Sequence, residues 1–207
     1  MNTEKIFYTH YKKGGRYEYI GEALHTETGE RLVAYKKIFG EDAGKIGGKI
    51  WVRPYEMFFG KVEFHGEQVA RFRHIPPRAG GIVLDTKGNI LLMRRYRPVS
   101  GEYFVIPGGG IDEGETSLQA VIREIQEECS LTAIPEGVWY ECEDNGGRPC
   151  TYFLIRNYSG TLALGGEEKE WMNEDNQYEP VWIPLSEAVQ KINLYPENVR
   201  IKLKELL

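Results

Sequence analysis

Three glutamates, Glu124, Glu127 and Glu128, sit at spacings that a helix gathers onto one face. Ahead of them run Gly108, Gly109 and Gly110, which can bend freely and let a ligand approach the backbone. A helix starting at Thr116 or Glu115 and running to about Ser130 would bury the stripe Leu118, Ile122, Ile125 and Cys129 on the side away from the acids. Clustered carboxylates repel one another unless a cation sits among them. An all-oxygen donor set suits a hard ion, Mg²⁺ or Mn²⁺, which also accepts phosphate oxygens and water. The competing reading is a solvated acidic helix face.

These residues need a scaffold. Gly81-Ile82-Val83-Leu84 and Asn89-Ile90-Leu91-Leu92-Met93 read as strands joined by the hairpin link Asp85-Thr86-Lys87-Gly88. A short strand from Tyr103 to Ile106 feeds the glycine loop. Further strands are expected at Val138 to Cys142, Thr151 to Arg156 and Val181 to Ile183. Ser186 would cap a short helix through Lys191, and Glu197 to Leu207 reads as a last helix. Mixed strands with two or three helices predict an α/β/α sandwich.

Arg94-Arg95-Tyr96-Arg97 prolongs the second strand, with Arg95 and Arg97 sharing one face. Their forked guanidinium groups suit phosphate, and Arg97, beside the Pro98 turn, is the expected substrate contact of the two. A solvent-facing strand end is the alternative. Glu167, Glu168 and Glu170, after Gly165-Gly166, are candidates for a general base; the alternative is a solvated loop.

At 207 residues the chain allows one large or two small domains. No stretch approaches ~18 apolar residues, so no membrane span is expected. The N-terminus lacks a secretory pattern, and Cys129, Cys142 and Cys150 form an odd set without close metal spacing. These features predict reduced thiols and a cytoplasmic protein. The chain divides at Pro76-Pro77, into 1–75 and 76–207. The first part carries 13 Lys and Arg against 10 Asp and Glu, and the second 13 against 21, for the overall net charge of −5. All four histidines precede the division. Chemistry in the second part therefore runs on carboxylates, metals and basic side chains, which disfavours Ser-His-Asp or Cys-His catalysis there.

The segment from Gly109 to Leu131 resembles the Nudix box, G-x5-E-x7-R-E-U-x-E-E-x-G-U, where U is aliphatic. Gly109, Glu115, Arg123, Glu124, Ile125, Glu127, Glu128 and Leu131 match; Ser130 replaces the last Gly. With the loop, Glu115 and Arg123 in register, this motif favours catalysis over a solvated face. The resemblance implies a Nudix fold for the sandwich. It also implies metal ligation by Glu124, Glu127 and Glu128, with the Gly109 carbonyl as a further ligand. Arg123 and Glu115 would pair and brace the loop against the helix, with Glu115 near metal as well. The implied catalytic set is Glu115, Arg123, Glu127 and Glu128. The implied activity is Mg²⁺- or Mn²⁺-dependent hydrolysis of a diphosphate linkage in a nucleoside diphosphate derivative, of the ADP-ribose, nucleotide-sugar or nucleoside-triphosphate class.

Two rival readings remain. One is an isoprenoid-diphosphate isomerase on the same fold, which calls for an active-site thiol. The other is a nucleotide-sensing binding protein. The expected partner is a small nucleotide; a membrane is not expected, net acidity argues against nucleic acid, and a homodimer is a further expectation.

The first part holds 13 of the 25 aromatic residues. Its run from Tyr8 through Tyr17, Tyr19, Tyr35 and Trp51 to Phe58 resembles the bacterial domain of unknown function family 1653. Short strands with Thr28-Gly29 and Gly47-Gly48 turns predict a small SH3-like β-barrel. Aromatics beside Lys36, Lys37 and Arg53 could stack on a base or grip a peptide; a small core that relies on aromatics is the favoured explanation.

Overall fold

Residues 79–83 and 90–93 are buried at every position, so these strands have both faces covered. The computed structural model describes residues 5–40, 48–191 and 193–207, without the side chains of Glu167, Glu168 and Trp171. The chain divides into two units. One comprises the residues up to Pro76 together with Asn145–Arg148, the other Pro77–Asp144 and Pro149–Leu207.

In the second unit, one four-stranded sheet runs in the order Gly108–Gly110, Arg78–Val83, Pro149–Ile155, Gly137–Glu143. The other runs Gln177–Pro184, Asn89–Arg97, Gly101–Val105, Leu194–Tyr195. Both are mixed: Arg78–Val83 is parallel to Pro149–Ile155, and Gly101–Val105 is parallel to Leu194–Tyr195. Side-chain alternation splits each buried strand between two apolar layers. Ile82, Ile90, Leu92 and Tyr152 join Leu185, Ala188, Val199 and Leu203 from the C-terminal helices. Val83, Leu91, Met93 and Phe153 join Val121, Ile125 and Cys129 from the Ser117–Cys129 helix. Helices thus cover both sheet faces, giving the mixed α/β sandwich.

Several local expectations change. The predicted hairpin survives only as a bridge between Leu84 and Ile90, with Asp85 accepting from the Lys87 and Asn89 amides at 2.8 Å. The two strands then part, because each gains a longer ladder in a different sheet. The helix expected from Ser186 is Leu185–Ala188, with no side-chain cap. The last helix, Glu197–Lys202, tightens into a 3₁₀ turn at Leu203–Leu206.

The first unit holds a five-stranded antiparallel sheet in the order Ile50–Pro54, Arg31–Phe39, Gly14–Leu24, Ile6–His10, Phe72–Ile75, with a separate hairpin of Lys61–Phe64 and Glu67–Ala70. Tyr17, Val33, Tyr35, Phe58 and Phe72 form its core. Phe58, from the short helix Tyr55–Phe59, stacks on Phe72 at 4.2 Å and 5°. The expected SH3-like barrel is not found: among the described residues no pairing joins the two end strands. One aromatic cluster packs on the sheet instead, and burial of these large rings supplies the core of a small unit.

Candidate active site

Thr116 starts the Ser117–Cys129 helix through a capping box. Its hydroxyl accepts from the Gln119 amide at 3.2 Å, and Gln119 Oε1 accepts from the Thr116 amide at 2.9 Å. The helix buries Ala120, Val121, Ile125 and Cys129, whereas Leu118 and Ile122 of the expected stripe are exposed. Leu118 and Ile122 share their side of the helix with the buried Ile125 and Cys129 but lie nearer its N-terminal end, so the cover over this stripe is incomplete there.

The loop and helix lock together through polar groups. Glu128 Oε2 accepts from the Gly108 amide at 2.7 Å. Gly108 has φ +140°, and a side chain there would strike the Ala79 carbonyl. A Cβ at Gly109 would collide with the Glu124 carboxylate, so the bare backbone is what lets Glu124 lie against the loop.

Arg123 ties these pieces together. Its Nε and Nη2 donate to the two oxygens of Glu115 at 3.0 and 2.9 Å, and Nη2 also donates to the Gly110 carbonyl at 2.9 Å. Its Nη1 donates to Glu124 at 2.8 Å and Glu127 at 3.0 Å. This fork-to-fork pairing is the strong form of a charged hydrogen bond. The Arg123 hydrogen bonds hold the Glu115 carboxyl below its ordinary range, with the Asp112 amide helping. Burial pushes Glu124 upward, partly offset by Arg123 and by Arg78. Arg123 itself is pushed up, chiefly by Glu115.

Ser130, where the box carries Gly, is left-handed at φ 57° and ψ 28°, and its amide closes the helix on Gln126 and Ile125 carbonyls. A residue with a Cβ is mildly strained there. Ser130→Gly is therefore expected to raise stability by about 0.5–1 kcal/mol, seen as a melting temperature a few degrees higher in thermal denaturation; an unchanged or lower value would contradict the strain.

A cavity of roughly 620 Å³ opens over this assembly. Glu124, Glu127, Glu128, Gly108 and Gly109 line one side, and Arg78, Arg95 and Tyr178 also line it. Arg95 lies over the Tyr178 ring at 4.1 Å, and its buried Nε has no hydrogen-bond partner among the described residues. Arg97 does not line the cavity; its Nε donates to Asn176 Oδ1 at 3.3 Å. Of the two arginines expected to meet substrate, the cavity thus has Arg95 in its lining and not Arg97, the one the sequence favoured. Sequence reasoning also missed Arg78, whose Nη2 donates to the Ile106 carbonyl at 3.1 Å. Its partner across the sheet is Gly110, so only strand register brings it to the box.

Of the general-base candidates, Glu167 and Glu168 have side chains outside the described residues, and Glu170 is exposed and not part of the cavity lining. Among the described residues of that segment, Gly166 alone lines the cavity. Cys129 is buried in the core, with Sγ 4.0 Å from Met93 Sδ, and neither Cys142 nor Cys150 lines the cavity. The isomerase reading therefore has no thiol where its chemistry would need one. Among the described residues, no three acidic, His or Cys side chains converge as a metal-holding group. Arg123 occupies oxygens of Glu124 and Glu127 instead.

The NUDIX domain family matches residues 74–203. The chain belongs to the Nudix family. The family described as "Protein of unknown function (DUF1653)" matches residues 6–74. An RNA pyrophosphohydrolase of Pelagibacter ubique is 28% identical over 158 residues, covering 65% of this chain and 96% of the relative. One from Mannheimia succiniciproducens is 43% identical over 93 residues, covering 45% of this chain; the chain spans 46% of that relative's length. Among solved structures, a MutT NUDIX hydrolase from Burkholderia pseudomallei is 25% identical with a TM-score of 0.48, covering 65% of this chain and 100% of the other. A C. elegans Ap4A hydrolase is 21% identical with a TM-score of 0.47, covering 62% and 94%. The enzyme class is that of a Nudix pyrophosphohydrolase, a class that generally uses divalent metal ions. No helix among the described residues is long and apolar enough to cross a membrane.

Proposed function

We propose that this Nudix enzyme hydrolyses the diphosphate linkage of a nucleoside diphosphate derivative, using Mg²⁺ or Mn²⁺ held by Glu124, Glu127 and Glu128 with the Gly109 carbonyl. One observation carries the reading: a single cavity has Glu124, Glu127, Glu128 and a fourth carboxylate, Asp112, and bare glycine backbone along with Arg78 and Arg95. An all-oxygen donor set of that kind fits a hard divalent cation. Gly109, open where a side chain would strike Glu124, keeps room for it. When bound, such an ion neutralises phosphate oxygens and lowers the pKa of water. The chain's own residues do the rest. Arg123 holds Glu124 and Glu127 in place and, with Glu115, braces the loop.

Arg95 is the substrate arginine in this reading, because its buried Nε has no partner among the described residues and it lines the cavity from its perch on Tyr178. It would take a phosphate oxygen distant from the metal-holding side. Arg95→Ala should raise KM about tenfold or more with a smaller change in kcat, while Arg97→Ala leaves both near wild type. Equal effects of the two substitutions would contradict the assignment.

The substrate classes remain ADP-ribose, nucleotide sugars and nucleoside triphosphates. The relatives named RNA pyrophosphohydrolases add the 5′-phosphorylated end of RNA as a second reading. A screen of all four classes with Mg²⁺ and with Mn²⁺, reading released phosphate and monophosphate, tests the proposal. Hydrolysis of at least one class that stops with EDTA is the expected result. No metal-dependent hydrolysis of any of them would overturn it.

A further inference from the structure

Seven cations of the first unit have no ion pair among the described residues, and five of them, Lys12, Lys13, Arg53, Arg71 and Arg73, lie at or beside one turn; the other two are Lys49 and Lys61. By contrast Lys36, which the sequence singled out, is paired with Glu18 at 3.3 Å. Lys12 and Lys13 lie in the turn after Ile6–His10, Arg53 and Arg71 stand close enough to act on His10, and the backbone of Arg73 runs beside that strand. His10 Nδ1 accepts from the Lys12 and Lys13 amides, both at 3.2 Å, and so shapes that turn as a neutral imidazole. The Tyr11 amide donates to the Arg71 carbonyl at 3.1 Å, and Arg73 lies opposite Thr9 in the neighbouring strand. Arg53 reaches the same place across the aromatic core, 5.7 Å from the Phe72 ring centre, with Nε donating to the Tyr35 hydroxyl at 3.3 Å. Burial together with Arg53, Lys13 and Arg71 depresses the His10 pKa, as expected where positive charge is unopposed.

Aromatic rings accompany the charge. Tyr11 lies 4.7 Å from His10 and 5.1 Å from Phe64, and both Tyr11 and Phe64 are half-buried, so part of each ring remains at the surface. Lys12, Lys13 and Arg73 are exposed.

We infer that this face of the first unit binds single-stranded nucleic acid, with Lys12, Lys13, Arg71 and Arg73 on the phosphates and Tyr11 stacking on a base. Unpaired cations release counterions when they meet a phosphate chain, and a ring beside them adds a sequence-tolerant contact. An acidic peptide would use the cations but leave the rings idle, so the combination favours nucleic acid. The chain's net charge of −5 conceals this face, because its excess acid lies in the second unit. The inference goes beyond the proposed diphosphate hydrolysis and stands whether or not that reading holds.

Fluorescence anisotropy of the full chain with a labelled twelve-nucleotide single-stranded RNA tests it. Wild type should bind, with log affinity falling against log salt at a slope of about −3 for four phosphate contacts on a single strand. Lys13→Glu combined with Arg71→Glu should weaken binding at least tenfold and flatten that slope. Tyr11→Ala should weaken it roughly tenfold without changing the slope. Hydrolysis of the best small substrate should be untouched in all of them, which separates failure here from failure of the catalytic reading. Absence of binding by wild type at low salt, unaltered binding by the charge-reversed protein while its melting temperature is kept, or equal affinity for a poly-glutamate peptide would overturn the inference.

Discussion

Glu127→Gln and Glu124→Gln are each expected to cut turnover at least a hundredfold while leaving the fold intact. Loss of a carboxylate on a divalent cation forfeits several kcal/mol of charge stabilisation in the transition state, and about 1.4 kcal/mol is a factor of ten in rate. The fold should survive because an amide oxygen can still accept from Arg123, which Glu124 and Glu127 meet at 2.8 and 3.0 Å. Circular dichroism and a cooperative melt would show the structure kept, and kinetics in saturating Mg²⁺ would show the loss. Wild-type turnover in both variants would remove these residues from the metal site.

Arg123→Met should damage stability and activity together. The side chain is 28% exposed and meets Glu115, Glu124, Glu127 and the Gly110 carbonyl. Without it the partly buried Glu124 loses the cation that hydrogen-bonds it, and none other does so among the described residues. Removing one partner of such a network costs about 2–3 kcal/mol after allowing for its partial exposure. That corresponds to a melting temperature lowered by roughly 5–12 °C. Arg123→Lys should recover only part of it, since an ammonium cannot form the two-pronged bond to Glu115. A melting temperature within about 1 °C of wild type for Arg123→Met would contradict the bracing role.

The box was legible because its logic is local. Loop, cap and helix are consecutive in the chain, so spacing alone brings Glu115 to Arg123 and the three acids to one face. The layered architecture was legible from buried runs and periodicity. The rest depended on register between distant segments. Arg78 reaches the cavity only because Gly108–Gly110 pairs with Arg78–Val83. Arg95 lines the cavity while Arg97 meets Asn176, a difference set by where the strand passes the cavity. The exposure of Leu118 and Ile122 reflects which part of the helix is covered, which an apolar pattern does not record. In the first unit, abundant aromatics announced a small ring-built core but not the open order of its strands. Overall charge was the least informative signal, because it averages two units of opposite sign.

The central claim is that Glu124, Glu127 and Glu128 hold a divalent cation beside the glycine loop. Titration of the protein with Mn²⁺, followed by electron paramagnetic resonance of the free ion, reads this directly and without a substrate. The wild-type chain should take up Mn²⁺ in competition with Mg²⁺, and a chain carrying both Glu127→Gln and Glu128→Gln should lose that uptake while melting cooperatively. Equal uptake by the two proteins would place the cation elsewhere and contradict the assignment.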